Sequence, residues 1–214
     1  MRALERLSEP TILAERGQQW LNIYLSSGKK RPDSKKYAHK AIKAQLNSMS
    51  YHKCFYCESK LKGIPSEVDH HIEISVNKEL SYTWTNLYLS CDNCNGKLNH
   101  NEIPIETVLD PCVNTDEEIQ THLTFEKEMI TARNNSDIGL KTIRKYRLDT
   151  ELLDLRRLKQ LNKFQSLLIA IQQKQIADGG RALNTEEIST IKSFAQRDHP
   201  YSLMFEFLIK KINI

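Results

Sequence analysis

Cys54-Phe-Tyr-Cys57, then thirty-three residues, then Cys91-Asp-Asn-Cys94-Asn95-Gly-Lys97 is the stretch that decides the fold. Two cysteine pairs, each with a two-residue gap, can bring four thiolates tetrahedrally around one Zn²⁺. An ion so held pins two turns together, and the interval between the pairs closes as a loop across that pin. A site of four thiolates has no open coordination position, so Cys54, Cys57, Cys91 and Cys94 are expected to hold a structural zinc. Within the loop lie Val68-Asp69-His70-His71 and Trp84-Thr85-Asn86-Leu87.

Working outward, Glu67 to Ile72 reads as a strand, Asn77 to Thr83 as a polar loop and Leu87 to Leu89 as a second strand. Cys91 to Cys94 then turns into a helix of about two turns. The order is strand, loop, strand, helix, with zinc joining the two ends. Asp69 supplies a carboxylate of the kind a hard cation such as Mg²⁺ prefers. On a strand His70 faces the opposite side, where a neutral imidazole can accept a proton from water. Asn95 follows the last cysteine and can add an amide oxygen for the same divalent ion. The second metal expected at Asp69 and Asn95 is therefore Mg²⁺ or Mn²⁺.

Val-Asp-His followed by Asn-Leu-Tyr-Leu-Ser-Cys-Asp-Asn-Cys-Asn resembles the signature of the HNH nucleases, in its His-Asn-Asn version. The resemblance implies a ββα-metal finger in which His70 is the general base and Asn86 braces the loop and orients the catalytic strand. Asn95 and Asp69 would ligate the divalent metal. More closely, Cys-x-Tyr-Cys-Glu, Trp-x-Asn-Leu-x-Leu-Ser-Cys-x-x-Cys-Asn, Leu109-Asp110-Pro111 and His122-Leu-Thr-Phe125 are similar to the HNH component of Septu-type antiphage systems. That likeness implies an ABC-type ATPase partner, and some retron systems, with their RNA/DNA complex, carry a similar pair. It also implies 5′-phosphate and 3′-hydroxyl products. The chain itself has no Gly-x-x-x-x-Gly-Lys-Ser/Thr, so ATP control would come from outside. Two positions depart from the pattern. Glu73 stands where many members have proline, and either alters the loop or joins the metal site. Lys97 comes two residues after the last motif asparagine, where a lysine is common at three.

The 214-residue chain is long enough for a real core, and its 39% hydrophobic and 27% charged residues are ordinary for a soluble globular protein, so motif rather than composition decides its class. No apolar run approaches the roughly 20 residues that span a bilayer, and the N-terminus lacks the apolar core of a signal peptide. Cytoplasmic placement without membrane contact is the expectation. A net charge of +4 does not by itself mark a nucleic-acid binder, but its distribution is informative. Lys29, Lys30, Arg31, Lys35, Lys36, Lys40 and Lys43 face only Asp33. Lys29, Lys30, Arg31, Lys35 and Lys36 are the candidate nucleic-acid contacts, able to neutralise several phosphates. Cys112 stands alone and reads as a small buried hydrophobe.

The expected fold class is α+β: a mainly helical chain around a zinc-stabilised ββα-metal finger. Residues 1–50 form N-terminal helices with a basic linker. One helix starts at Ser8-Glu9-Pro10, and a second, capped by Asp33 or Ser34, carries Tyr37, Ala41, Ile42 and Leu46 on one face. Residues 51–125 form the finger, and 126–214 a helical region for scaffolding or partner docking. There Leu123, Phe125, Met129 and Ile130 predict a strand pair, Leu140, Ile143 and Tyr146 a helix, and residues 150–177 the longest helix. Its apolar positions are Leu152, Leu155, Leu158 and Leu161, then Phe164, Leu168 and Ile171. Asn184 or Thr185 opens another helix and Pro200 the last. Two other function classes fit the same residues: a zinc-ribbon module that binds nucleic acid without cutting it, and an adaptor whose late helices dock a partner.

Overall fold

The structure, a computed structural model, describes residues 1–213. β1 (Ser66–His70) and β2 (Leu87–Cys91) pair antiparallel, with Ser66 opposite Cys91, Asp69 opposite Tyr88 and His70 opposite Leu87. Every residue of β2 is buried, because the strand is covered on both faces. α4 (Asp92–Asn95) follows directly and packs back on both strands. It is one turn long rather than the expected two, since Gly96 closes it and Lys97 is drawn in beneath Asp69. The segment between the strands is also less loop-like than its polarity predicts. Lys78–Tyr82 is a 3-10 helix opened by the Asn77 side chain, and Tyr82 is buried against Trp20, ring centroids 5.8 Å apart.

Before the finger come α1 (Thr11–Ser26), α2 (Ser34–Tyr37) and α3 (Lys40–Met49). Pro10 sits at the N-cap of α1, one position before the helix, where its missing N–H leaves no bond unmade. The single helix expected from Asp33 onward is two. Asp33 caps α2 as expected, but the chain turns at Ala38, and the His39 ring accepts the Ala41 N–H to start α3. The break leaves Ile42 and Leu46 on the core face of α3 while α2 stays at the surface.

After the finger, α5 (Asp116–His122) leads into the hairpin β3 (Leu123–Glu126) and β4 (Met129–Ala132) at the expected strand pair. α6 (Asp137–Tyr146), α7 (Glu151–Ala177), α8 (Thr185–Ser193) and α9 (Ser202–Lys211) complete the chain. α6 passes so close to α5 that a Cβ on Gly139 would collide with the His122 carbonyl, so only glycine fits there. In α7 the buried face differs from the expected one. Leu152 and Leu155 are exposed, while Leu153, Arg157, Leu161, Phe164 and Ile171 are buried. Arg157 is responsible: its guanidinium donates to Glu128 O (2.6 Å) and Leu148 O (2.8 Å), and this clamp sets the rotation of the helix.

The C-terminal chain is seated on the first cysteine turn. Lys53 and Lys60 donate to the carbonyls of His199 and Asp198, both at 3.0 Å, and Ser202 Oγ donates to Glu58 at 2.7 Å. Hydrogen bonds therefore cross the boundary expected at residue 125. The fold class is α+β, mostly helical with two small two-stranded sheets among the described residues. No described helix is long and apolar enough to cross a membrane.

Candidate active site

The two cysteine turns meet. The Sγ atoms of Cys54, Cys57, Cys91 and Cys94 lie within 4.8 Å of one another, all buried, with Cys57 and Cys91 at 3.7 Å. Thiolates about 2.3 Å from a tetrahedral zinc stand about 3.8 Å apart, so the cluster fits that ion. Ser59 Oγ lies 3.1 Å from Cys57 Sγ and 2.8 Å from the hydroxyl of Tyr201, which links the cluster to the start of α9. Cys112 stands apart, half-buried, and burial pushes its thiol up to about 11.

β1 and α4 bring Asp69, His70 and Asn95 to one cleft of about 410 Å³, which Glu67, Tyr37, Lys30, Arg31 and Lys78 also line. Strand alternation predicts opposite faces for Asp69 and His70, but His70 is the last residue of β1, where the strand gives way to the loop, and both line the cleft. Each of the three motif side chains has one polar atom tied to the protein. His70 Nε2 lies 2.9 Å from Ser81 O, so it carries the proton and donates, which leaves Nδ1 as the acceptor. The Tyr37 ring meets the imidazole edge-on at 4.6 Å and holds its plane. Burial pushes His70 below the ordinary imidazole range, although the Ser81 carbonyl pulls the other way, and the ring is neutral at pH 7. Asp69 Oδ2 accepts from Tyr56 OH (2.7 Å) and from Lys97 Nζ (2.6 Å), leaving Oδ1 without a hydrogen bond to the described residues. Asn95 Nδ2 donates to Glu67 at 2.8 Å, and its Oδ1 has only a long 3.4 Å approach from Ser90 Oγ. Two oxygens suited to a hard divalent cation thus remain on one cleft, so the donor set fits Mg²⁺ or Mn²⁺.

Asn86 lies outside the cleft lining and acts from behind. It is buried, and its amide bonds both the N–H and the carbonyl of Ile72, the second residue after β1. His71 points away from the cleft. It stacks on Tyr88 at 4.3 Å with Nε2 3.3 Å from Asp110, and burial lowers it to about 4. Glu73 reaches Lys145 Nζ on α6 at 2.7 Å, and Lys145 is fully buried. Of the expected nucleic-acid contacts, Lys30 and Arg31 stand at the cleft. Lys29, Lys35 and Lys36 do not line it, and Lys43 is committed to the Ser66 carbonyl at 2.9 Å.

Glu67, Tyr37, Tyr56, Lys97 and the Ser81 carbonyl take part in the site although the sequence reading assigned them nothing there. Glu67 had a signal, since it alternates with Asp69 along one strand face. Tyr37 and Ser81 had none, because only the folded chain brings them to His70.

Residues 54–101, which carry the cysteine cluster and the cleft residues Asp69, His70 and Asn95, match the family model described as HNH endonuclease. The chain is also similar to two proteins called Septu protein PtuB. The one from Bacillus thuringiensis is 30% identical over 114 residues, covering 52% of this chain and 42% of the relative. The one from Bacillus mycoides (strain KBAB4) is 27% identical over 175 residues, covering 67% of this chain and 57% of the relative. The chain spans about half the length of the curated relatives it matches.

Proposed function

We propose that this chain is a metal-dependent endonuclease that hydrolyses phosphodiester bonds, with DNA as its substrate, and that it serves as an effector of antiphage defence. The observation that carries this reading is the shared cleft of Asp69, His70 and Asn95, each with one polar atom anchored and another free. His70, held by Ser81 and Tyr37, takes the proton of the attacking water at Nδ1. Asp69 and Asn95 would hold the divalent cation, Mg²⁺ or Mn²⁺, and that ion when bound would supply positive charge for the oxygen that leaves. Asn86 fixes the chain just beyond β1 so that His70 and Asp69 keep their positions. Lys30 and Arg31 hold the nucleic-acid backbone at the cleft mouth. The zinc at the four cysteines takes no part in the reaction and keeps the finger folded.

Similarity to the Septu proteins supports an antiphage role, and by the same likeness an ABC-type ATPase is the partner that controls cleavage. Neither relative is named for a retron complex, and none is proposed here. The cytoplasm, where reduced thiolates persist, is the compartment that suits the cysteine cluster.

The test is cleavage of DNA, and of RNA and tRNA in parallel, by the purified chain with its partner ATPase and Mg²⁺ or Mn²⁺. His70→Ala is expected to lose about 10²–10⁴-fold in rate while keeping its zinc. Undiminished cleavage by that variant overturns the catalytic reading and favours a non-catalytic binding or adaptor module. Cleavage confined to the RNA arms overturns the choice of DNA.

A further inference from the structure

The motif asparagine has a problem of chemistry. An amide must offer a hard cation its oxygen, yet its oxygen and its NH₂ are nearly identical in shape. Something beside Asn95 has to tell the two ends apart.

Glu67 on β1 and Ser90 on β2 are cross-strand partners in the ladder, and both side chains reach Asn95. An ionised carboxylate only accepts, so Glu67 Oε2, 2.8 Å away, takes the Nδ2 end and no other. The Ser90 hydroxyl approaches the Oδ1 end at 3.4 Å, a distance too long to saturate that oxygen. With one end tied, the other is available to the cleft that Glu67, Asp69 and Asn95 line together.

The charges of the site point the same way. Asp69 is matched by Lys97 at 2.6 Å, and Glu73 by Lys145 at 2.7 Å. Glu67 forms no ion pair among the described residues, so its carboxylate is left to the amide. The outer partners of metal ligands orient them in this way elsewhere, and removing one typically costs 10–100-fold in metal affinity.

We infer that Glu67 is a positioning residue of the divalent-metal site: it holds Asn95 by the amide nitrogen so that the amide oxygen faces the cation. The inference rests on the metal reading given under Proposed function. It assigns Glu67 an action through Asn95 and no direct bond to the ion.

Mn²⁺ binding to the zinc-loaded chain, followed by the electron paramagnetic resonance of free Mn²⁺, tests it without any cleavage assay. Glu67→Ala is expected to weaken binding about 10–100-fold. Glu67→Gln keeps an acceptor for the Asn95 NH₂ and is expected to stay within about threefold of the parent, by the same bond. Combining Glu67→Ala with Asn95→Ala should weaken binding no further than Asn95→Ala alone, because the two act as one unit. Zinc content and circular dichroism of each variant report whether the finger is intact. If Glu67→Gln falls as far as Glu67→Ala, or the two alanine changes add, the carboxylate acts on the ion itself and the inference is overturned. Loss on Asn95→Ala with normal binding by Glu67→Ala overturns the inference alone. Normal binding by Asn95→Ala overturns the metal reading beneath it.

Discussion

Asn86 brackets a single residue of the loop after β1: Ile72 N–H donates to Asn86 Oδ1 at 2.7 Å, and Asn86 Nδ2 donates to Ile72 O at 3.0 Å. A third bond reaches the Leu80 carbonyl at 3.3 Å, so Asn86, at the end of the inter-strand segment, holds both its start and its middle. Replacing Asn86 by alanine strips partners from part-buried backbone groups of Ile72 and Leu80. The cost is about 1–3 kcal/mol for each group left unpaired. Asn86→Ala is therefore expected to lower the unfolding midpoint in urea and to cut cleavage, even though Asn86 touches neither cleft nor substrate. An unchanged midpoint would contradict this account of the bracket.

Lys30 and Arg31 stand at the cleft while Lys43 is bonded to the Ser66 carbonyl. Each phosphate contact contributes about 0.7–0.9 to the slope of log affinity against log salt. The double change Lys30→Ala, Arg31→Ala is expected to reduce that slope by about 1.4–1.8. Lys43→Ala should leave it as it was. Fluorescence anisotropy with labelled DNA over a salt series distinguishes the two cases, and equal slopes in all three proteins would sink the assignment.

Glu58 lies buried under the C-terminal chain, between Lys53 (3.3 Å), the Met1 amine (3.2 Å) and Ser202. Burial alone would raise its carboxyl, but the Met1 amine, Lys53 and Arg2 outweigh that and hold it far below the usual carboxylate range. A carboxyl lowered in the folded state stabilises the protein above its unfolded value of 4.5, and that contribution fades as the pH falls below it. Removing one partner of a buried ion pair costs about 3–5 kcal/mol. Glu58→Gln is expected to be destabilised on that scale at pH 7, with the gap to the parent narrowing from pH 4.5 downward. Thermal unfolding across pH 3–7, with the approximate scale set by the same linkage, reads this directly. A gap that widens on acidification reverses the sign and rejects the argument.

Tyr201 reaches Cys57 through Ser59, so the zinc cluster borrows part of its surroundings from the start of α9. Tyr201→Phe deletes only the hydroxyl, and zinc is expected to be captured by a chromogenic chelator about tenfold more readily. Stripping the zinc altogether should unfold the finger, since such sites contribute about 10–16 kcal/mol. Parent-like capture by the phenylalanine variant would show that the hydroxyl pair is incidental.

The cysteine spacing and the two strands were legible because each rests on a local rule: ligand spacing for one, alternation and apolar runs for the other. Asp33 and Asn184 likewise announced their helices as caps. What failed to show was set by contacts distant in sequence. The polar segment at Lys78–Tyr82 is helical because Tyr82 finds Trp20. The buried face of α7 turns on Arg157 reaching two backbone carbonyls, and a charged residue reads as surface in any periodicity count. Within the site, the residue types and their placement offered Asp69, His70 and Asn95 as candidates, and Asn86 came in through the resemblance to the HNH nucleases. The residues that orient them, Ser81, Tyr37, Tyr56, Lys97 and Glu67, come from five separate segments. Their roles depend on which atom of each motif side chain is left over, and no pattern of letters carries that.

The seating of His199, Tyr201 and Ser202 on the first cysteine turn has a consequence for synthesis on the ribosome. Cys94 leaves the ribosome about a hundred residues ahead of Tyr201, an interval of about 5–20 s at ordinary elongation rates. The nascent finger can gather all four thiols in that time, but Ser59 waits for its tyrosine and Glu58 for its serine. Until α9 arrives, the cysteine turn lacks the Tyr201 and Ser202 contacts that cover it on one side in the folded chain.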